Sequence, residues 1–151
     1  MIRDDIKAAT IAAMKSGDKE TTGTLRLVSA AIKNRDIEAR TGAAPKDDDT
    51  LVTEVLQKMI KQRRESADIY RNNAREDRAA TEEAEIAAIE RFLPRQLSDD
   101  EAAEKIRAIV AETGASSMKD MGRVMALVKE HLGTSIEPAR ASALVKAALS
   151  G

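Results

Sequence analysis

Residues able to do covalent chemistry or hold a metal are few in this chain, and none stands in a productive pattern. The single histidine, His131, lies beside Glu130 with no second histidine or carboxylate at ligand spacing. It falls near the end of an apolar-periodic segment, where an imidazole faces the last helical carbonyls. Ser116-Ser117 could suggest an amidase nucleophile, but the glycines that shape an oxyanion hole are missing around it. The pair is better read as a helix cap. Glu82, Glu83 and Glu85 lack the Glu-x-x-His partner of a carboxylate-bridged metal site. They are expected in the first turn of a helix, where negative charge favours the dipole. The chain has no cysteine and no glycine-rich phosphate loop. No catalytic residue, metal or cofactor is expected, and by itself the chain does not look like an enzyme.

Two features call for more than a scaffold. Lys61, Arg64, Arg71, Arg75 and Arg78, with Asp68 between them, follow one another at spacings of three or four. On one long helix they would form a stripe able to meet phosphates or an acidic partner, unless Glu65, Glu76 and Asp77 make it an ordinary solvated face. Arg63 and Ser66 interrupt the opposite, apolar stripe; Arg63 must either snorkel or pair with a carboxylate of a neighbouring helix. The second feature is Met121-Gly122-Arg123-Val124-Met125. A glycine inside a helix costs roughly 1 kcal/mol relative to alanine, which close approach of another helix or of an RNA backbone would justify. The first is the commoner reason, and Arg123 is kept as a candidate contact.

The elements that carry these residues are all helical by periodicity. Helices are predicted from about Ile2 to Ser16, Thr22 to Thr41, Thr50 to Ala74 or a little beyond, Thr81 to Leu93, Ser98 to Thr113, Ser117 to Leu132 and Pro138 onward. Gly17, Gly42, Gly114, Gly133 and Pro94 supply the stops. Ser98-Asp99-Asp100-Glu101 is a capping box with Leu97 placed to staple onto Ala102. Pro94-Arg95-Gln96 just before it is the best boundary, giving units 1–95 and 96–151.

Composition narrows the partners. Aromatics make up 1% of the 151 residues, so base-stacking platforms are confined to Tyr70 and Phe92. Charged residues reach 34% yet cancel to −1, which excludes a wholesale electrostatic grip on nucleic acid. Met1 opens straight into Ile2-Arg3-Asp4-Asp5 with no apolar signal region, and no apolar run is long enough for a bilayer. The expectation is a cytoplasmic protein without a membrane partner.

Four segments carry a resemblance: Thr24-Leu25-Arg26-Leu27-Val28-Ser29-Ala30-Ala31-Ile32-Lys33-Asn34, Ile60-Lys61-Gln62-Arg63-Arg64-Glu65-Ser66, Phe92-Leu93-Pro94-Arg95-Gln96-Leu97-Ser98 and Asp120-Met121-Gly122-Arg123-Val124-Met125. In this order they resemble the YqeY proteins, and the chain looks like a stand-alone GatB/YqeY-domain protein. The resemblance implies an all-α fold: a bundle of about four helices, then a small three-helix module similar to the tail of the amidotransferase B subunit. That enzyme uses glutamine to amidate glutamate or aspartate mischarged on tRNA, a carbon–nitrogen ligase activity whose chemistry resides in other domains. Similar modules are appended to an aminoacyl-tRNA synthetase. The implied role is therefore accessory and non-catalytic, with tRNA, amidotransferase subunits or a synthetase as partners; a protein–protein adaptor is the alternative. Where the family often has a basic residue followed by Ala-Asp after the glycine closing the sixth helix, Gly133 is followed here by Thr134-Ser135-Ile136-Glu137. Lys119, Arg123, Lys129, Arg140 and Lys146 are left as candidate RNA contacts.

Overall fold

The structure, a computed structural model, describes residues 1–150. Seven α-helices follow one another: α1 (Ile2–Ser16), α2 (Lys19–Ala39), α3 (Asp48–Asn72), α4 (Glu76–Glu90), α5 (Asp99–Thr113), α6 (Met121–Leu132) and α7 (Pro138–Ser150). Single 3-10 turns at Met118–Asp120 and Gly133–Ser135 flank α6. The described residues contain no strand, and no helix among them is long and apolar enough to cross a membrane.

The chain divides into two compact units, Met1–Leu93 and one beginning at Pro94. In the first, Ile6 of α1, Val28 and Ile32 of α2, Val52, Leu56 and Ile60 of α3, and Ile86 and Ile89 of α4 share one core. In the second, Leu97, Ile106 and Ile109 meet Val124 and Val128 of α6 and Val145 and Leu149 of α7. Each such side chain, fully buried, contributes about 1.5–3 kcal/mol, so each unit has a core of its own.

Three helix ends set by adjacent residues stand where the sequence puts them, whereas α2 ends at Ala39, ahead of the expected stop at Gly42. Gly17 and Gly114 take left-handed φ values of 74° and 68° and close α1 and α5, a conformation that glycine adopts without a Cβ clash. The capping box at Ser98 is complete: the Glu101 N–H donates to Ser98 Oγ at 3.2 Å and the Ser98 N–H donates to Glu101 Oε1 at 3.2 Å.

Three expectations are corrected. α2 begins at Lys19, not Thr22, because the Asp18 carboxylate accepts the Thr21 N–H at 3.1 Å and starts the helix early. α4 begins at Glu76, not near Thr81, because α3 stops at Asn72 and Ala74 takes φ 57°, turning the chain back at once. The Ser116 and Ser117 hydroxyls accept no capping N–H. Instead the Ser116 N–H donates to Asp120 Oδ2 at 3.2 Å, and a 3-10 turn precedes α6.

Residues 94–97 are tied into the second unit. The Leu97 N–H donates to the Ser135 carbonyl at 2.8 Å, and Gln96 Nε2 donates to the Thr134 carbonyl at 2.9 Å.

Candidate nucleic-acid interface

The basic stripe anticipated along one long helix does not exist as such. Lys61, Arg64 and Arg71 lie on α3, but Arg75 is the N-cap of α4 and Arg78 lies inside α4. The turn at Asn73–Ala74 folds α4 antiparallel onto α3, and the acidic side chains of α4 take up the arginines. Arg63 Nε donates to Glu85 Oε2 at 2.8 Å and its Nη1 to the Met59 carbonyl at 3.3 Å. This is the cross-helix pairing open to an arginine in an apolar stripe. Arg64 meets Glu90 at 3.2 Å, Arg71 bonds Glu83 and lies 3.3 Å from Glu76, and Arg75 reaches Asp77 at 3.4 Å. Arg78 stacks over the Tyr70 ring, 5.9 Å from its centroid. Lys61 is exposed.

These exposed pairs add little stability each, yet together they neutralise the surface that phosphates would have met. Glu82, Glu83 and Glu85 are accordingly mid-helix rather than first-turn charges, a second consequence of the earlier α4 start, and Glu83 and Glu85 are the ones that pair with arginines. Burial, together with the neighbouring Glu85 carboxylate, pushes the Glu82 carboxyl up from its usual range. Arg64, Ala67, Asp68, Arg71, Glu83 and Ile86 line a cleft of about 320 Å³ between these two helices.

The second unit arranges its cations differently. Arg140 is committed to the fold: its Nε donates to Asp99 Oδ1 at 3.1 Å and its Nη2 to the Leu97 carbonyl at 3.2 Å, fastening α7 to the start of α5. That arrangement takes its guanidinium out of the set offered to RNA. Arg123 meets Asp120 at 3.3 Å while its side chain is 56% exposed, so it is only loosely held. Lys119, Lys129 and Lys146 are exposed and make no ion pair among the described residues.

Gly122 is exposed, and beyond its own turn of helix backbone nothing lies within 4 Å of where its Cβ would stand. The expectation that it admits a neighbouring helix is overturned, since nothing packs there. Gly122, Ala126 and Lys129, at helical spacing, form one exposed row, with Lys119 a turn before it and Arg123 alongside. The result is a low, smooth strip bordered by three cations.

Other ionisable groups serve the scaffold. Among the described residues no group of three or more His, Cys, Asp or Glu could hold a metal ion. His131 is exposed in the last turn of α6. Arg95 donates to Glu101 Oε2 at 2.7 Å and, with the Ser98 N–H, holds the Glu101 carboxyl down to about 2.

The sequence reading missed a clamp at the start of the chain. Arg3 forks between Asp36, at 2.8 and 3.0 Å, and Asp48, at 2.8 and 3.2 Å, while the Ile2 N–H donates to Asp49 Oδ1 at 2.9 Å. Arg3 holds the Asp48 carboxyl below its usual range. Asp47 caps α3 while Asp48 and Asp49, in its first turn, anchor α1; the dense run Asp47-Asp48-Asp49 was the available signal.

Comparison with known proteins places this arrangement in a wider group. The family model described as Yqey-like protein matches residues 3–149. Altered inheritance of mitochondria protein 41 of Vanderwaltozyma polyspora, described as mitochondrial, is 35% identical over 92 residues, which cover 61% of this chain and 46% of that protein. Its namesake in Eremothecium gossypii is 34% identical over the same shares. An uncharacterized protein of Schizosaccharomyces pombe is 31% identical over 94 residues, 62% of this chain and 73% of that one. The chain thus spans about half the length of the first two relatives.

Proposed function

Because this chain belongs to the YqeY-like family, we propose that it is a non-catalytic accessory module whose second unit binds tRNA, in the setting of tRNA-dependent amidation. The observation that carries this reading is the open strip at Gly122. A glycine at an exposed helical position costs stability with no internal reason for it, and here the exposed Lys119, Arg123 and Lys129 lie within two helical turns of the vacant side-chain position. A phosphate backbone can come close to such a surface, the ammonium groups supplying point charge and the Arg123 fork a directional contact. These contacts orient RNA without reading its sequence, as expected of a module that approaches the body of many tRNAs. The amidation setting rests on the family resemblance, which likens the second module to the tail of the amidotransferase B subunit, and cytoplasmic residence follows as part of the same proposal.

Titration with bulk tRNA at two salt concentrations tests it. Each phosphate neutralised contributes a slope of about −0.7 to −0.9 to log K against log salt, so three cations give about −2 to −3. Arg123→Ala weakens binding and removes about one unit of that slope without lowering the melting temperature. Affinity indifferent to salt, or to Arg123→Ala, refutes the interface and leaves the protein–protein adaptor as the better reading.

A further inference from the structure

α2 carries an outward face that its own fold does not use. Leu25 and Ile32 point into the core with Val28 beside them, and the opposite side presents Gly23, Leu27, Ala30, Asn34 and Ile37, all exposed. Their spacings are four, three, four and three, the alternation of the two apolar positions of a heptad. Leu27 is 52% exposed and Ile37 50%, high for large apolar side chains. Gly23, the fifth residue of α2, meets nothing within 4 Å of its Cβ position, so no contact within the chain accounts for a glycine there.

We propose that this face pairs with the same face of a second copy, α2 against α2 in parallel. The inference is independent of the tRNA reading, which concerns the other unit. Three observations favour this occupant. Asn34 falls at the position where a lone asparagine in a two-stranded coiled coil bonds best to its own symmetry mate. Along one flank of the stripe run Arg26, Lys33 and Arg40, and on the other side lies Glu38. In a parallel pair Lys33 faces Glu38 of the second copy, five residues on, twice over by symmetry. An antiparallel pair would set the three cations against one another. Third, Gly23 and Ala30 let the backbones come close near the start of the helix, while Leu27 and Ile37 supply apolar knobs.

Stable interfaces bury about 1,200–2,000 Å² in total. One helix pair with two large apolar positions is expected at or below the low end of that range, where associations are weak and transient.

Sedimentation velocity of the full chain from about 1 to 500 µM should show a monomer–dimer equilibrium. Leu27→Glu should weaken it at least about tenfold, with helical content unchanged by circular dichroism because the position is exposed. Asn34→Val should tighten it, since the polar residue sets register at a cost in stability. The chain has no cysteine, so Ile37→Cys with an added copper oxidant reads the orientation cleanly. A parallel pair brings the two cysteines within the 7 Å or so a disulfide requires. An antiparallel pair of Ile37 with Leu27 separates them by ten residues, about 15 Å along the axis. Failure of the cross-link at a concentration where the dimer is populated overturns the parallel arrangement. A monomer throughout, for both the native chain and Asn34→Val, overturns self-association through α2.

Discussion

Gly122→Ala tests whether the strip on α6 is shaped for something outside the molecule. The substitution adds a methyl group at a place where nothing beyond the local helix backbone lies within 4 Å, so it brings neither overpacking nor new burial. What changes is backbone freedom: alanine is worth up to about 1 kcal/mol over glycine in a helix interior. Gly122 is the second residue of α6 and follows a 3-10 turn, which places it in the first turn, so about 0.5–1 kcal/mol is expected. For a unit of this size a gain of 1 kcal/mol raises Tm by about 4–8 °C, giving a rise of about 2–8 °C followed by circular dichroism. Gly122→Leu should likewise keep the fold, since the space is open, but it lifts the surface between Lys119, Arg123 and Lys129 and should weaken tRNA binding. A stability gain with a binding loss marks a surface kept low for a partner. A fall in Tm on Gly122→Ala would refute the reasoning, because it would mean that another segment packs there. Unchanged tRNA affinity in Gly122→Leu would show that RNA does not approach this strip.

Three further perturbations follow from the scaffold. Arg3→Met removes four charge-assisted hydrogen bonds and leaves Asp36 and Asp48 facing one another; with side chains about a third exposed and screened by solvent, urea unfolding should show a loss of about 1–2 kcal/mol, and a loss near zero would refute the clamp. The lowered Asp48 adds stability above its ordinary value of 3.8 that declines as pH falls below it, and this acid sensitivity should shrink in Arg3→Met. Thr53→Val should stabilise by about 1 kcal/mol in the same assay, because Thr53 Oγ1 is buried without a hydrogen-bond partner and its removal relieves a desolvation cost; destabilisation would reveal a hidden partner. Ser98→Ala should cost about 1 kcal/mol. The Glu101 carboxyl, held at about 2 against an ordinary 4.5, makes its contribution above pH 4.5 and loses it as pH falls toward 2; that dependence should flatten when Arg95→Ala removes its main partner.

The sequence by itself determined much of what is settled between residues three or four apart, the Asp18 cap on Thr21 and the Ser116–Asp120 turn being the exceptions. The all-α class, the capping box from Ser98 to Glu101, the left-handed stops at Gly17 and Gly114, and the inward residues Leu25, Val28 and Ile32 are all local. In each case the cause lies within one turn of helix. The start of α4 escaped because the break before it falls at Asn73–Ala74, without a glycine or proline. Ala74 accepts φ 57°, a strained choice for alanine that the packing of α3 against α4 imposes. From that one turn the fate of the basic stripe follows. A periodicity count assumes a continuous helix, whereas the real chain folds back and brings Glu83, Glu85 and Glu90 to Arg71, Arg63 and Arg64 over separations of 12 to 26 residues. The Arg3 clamp reaches over 33 and 45 residues, and Arg140 meets Asp99 over 41. Which cations are spent inside the fold and which stay outside is thus a tertiary decision, because charge pairing depends on distance in space. The same holds for Gly122, whose cost is legible in the sequence but whose open surroundings are not.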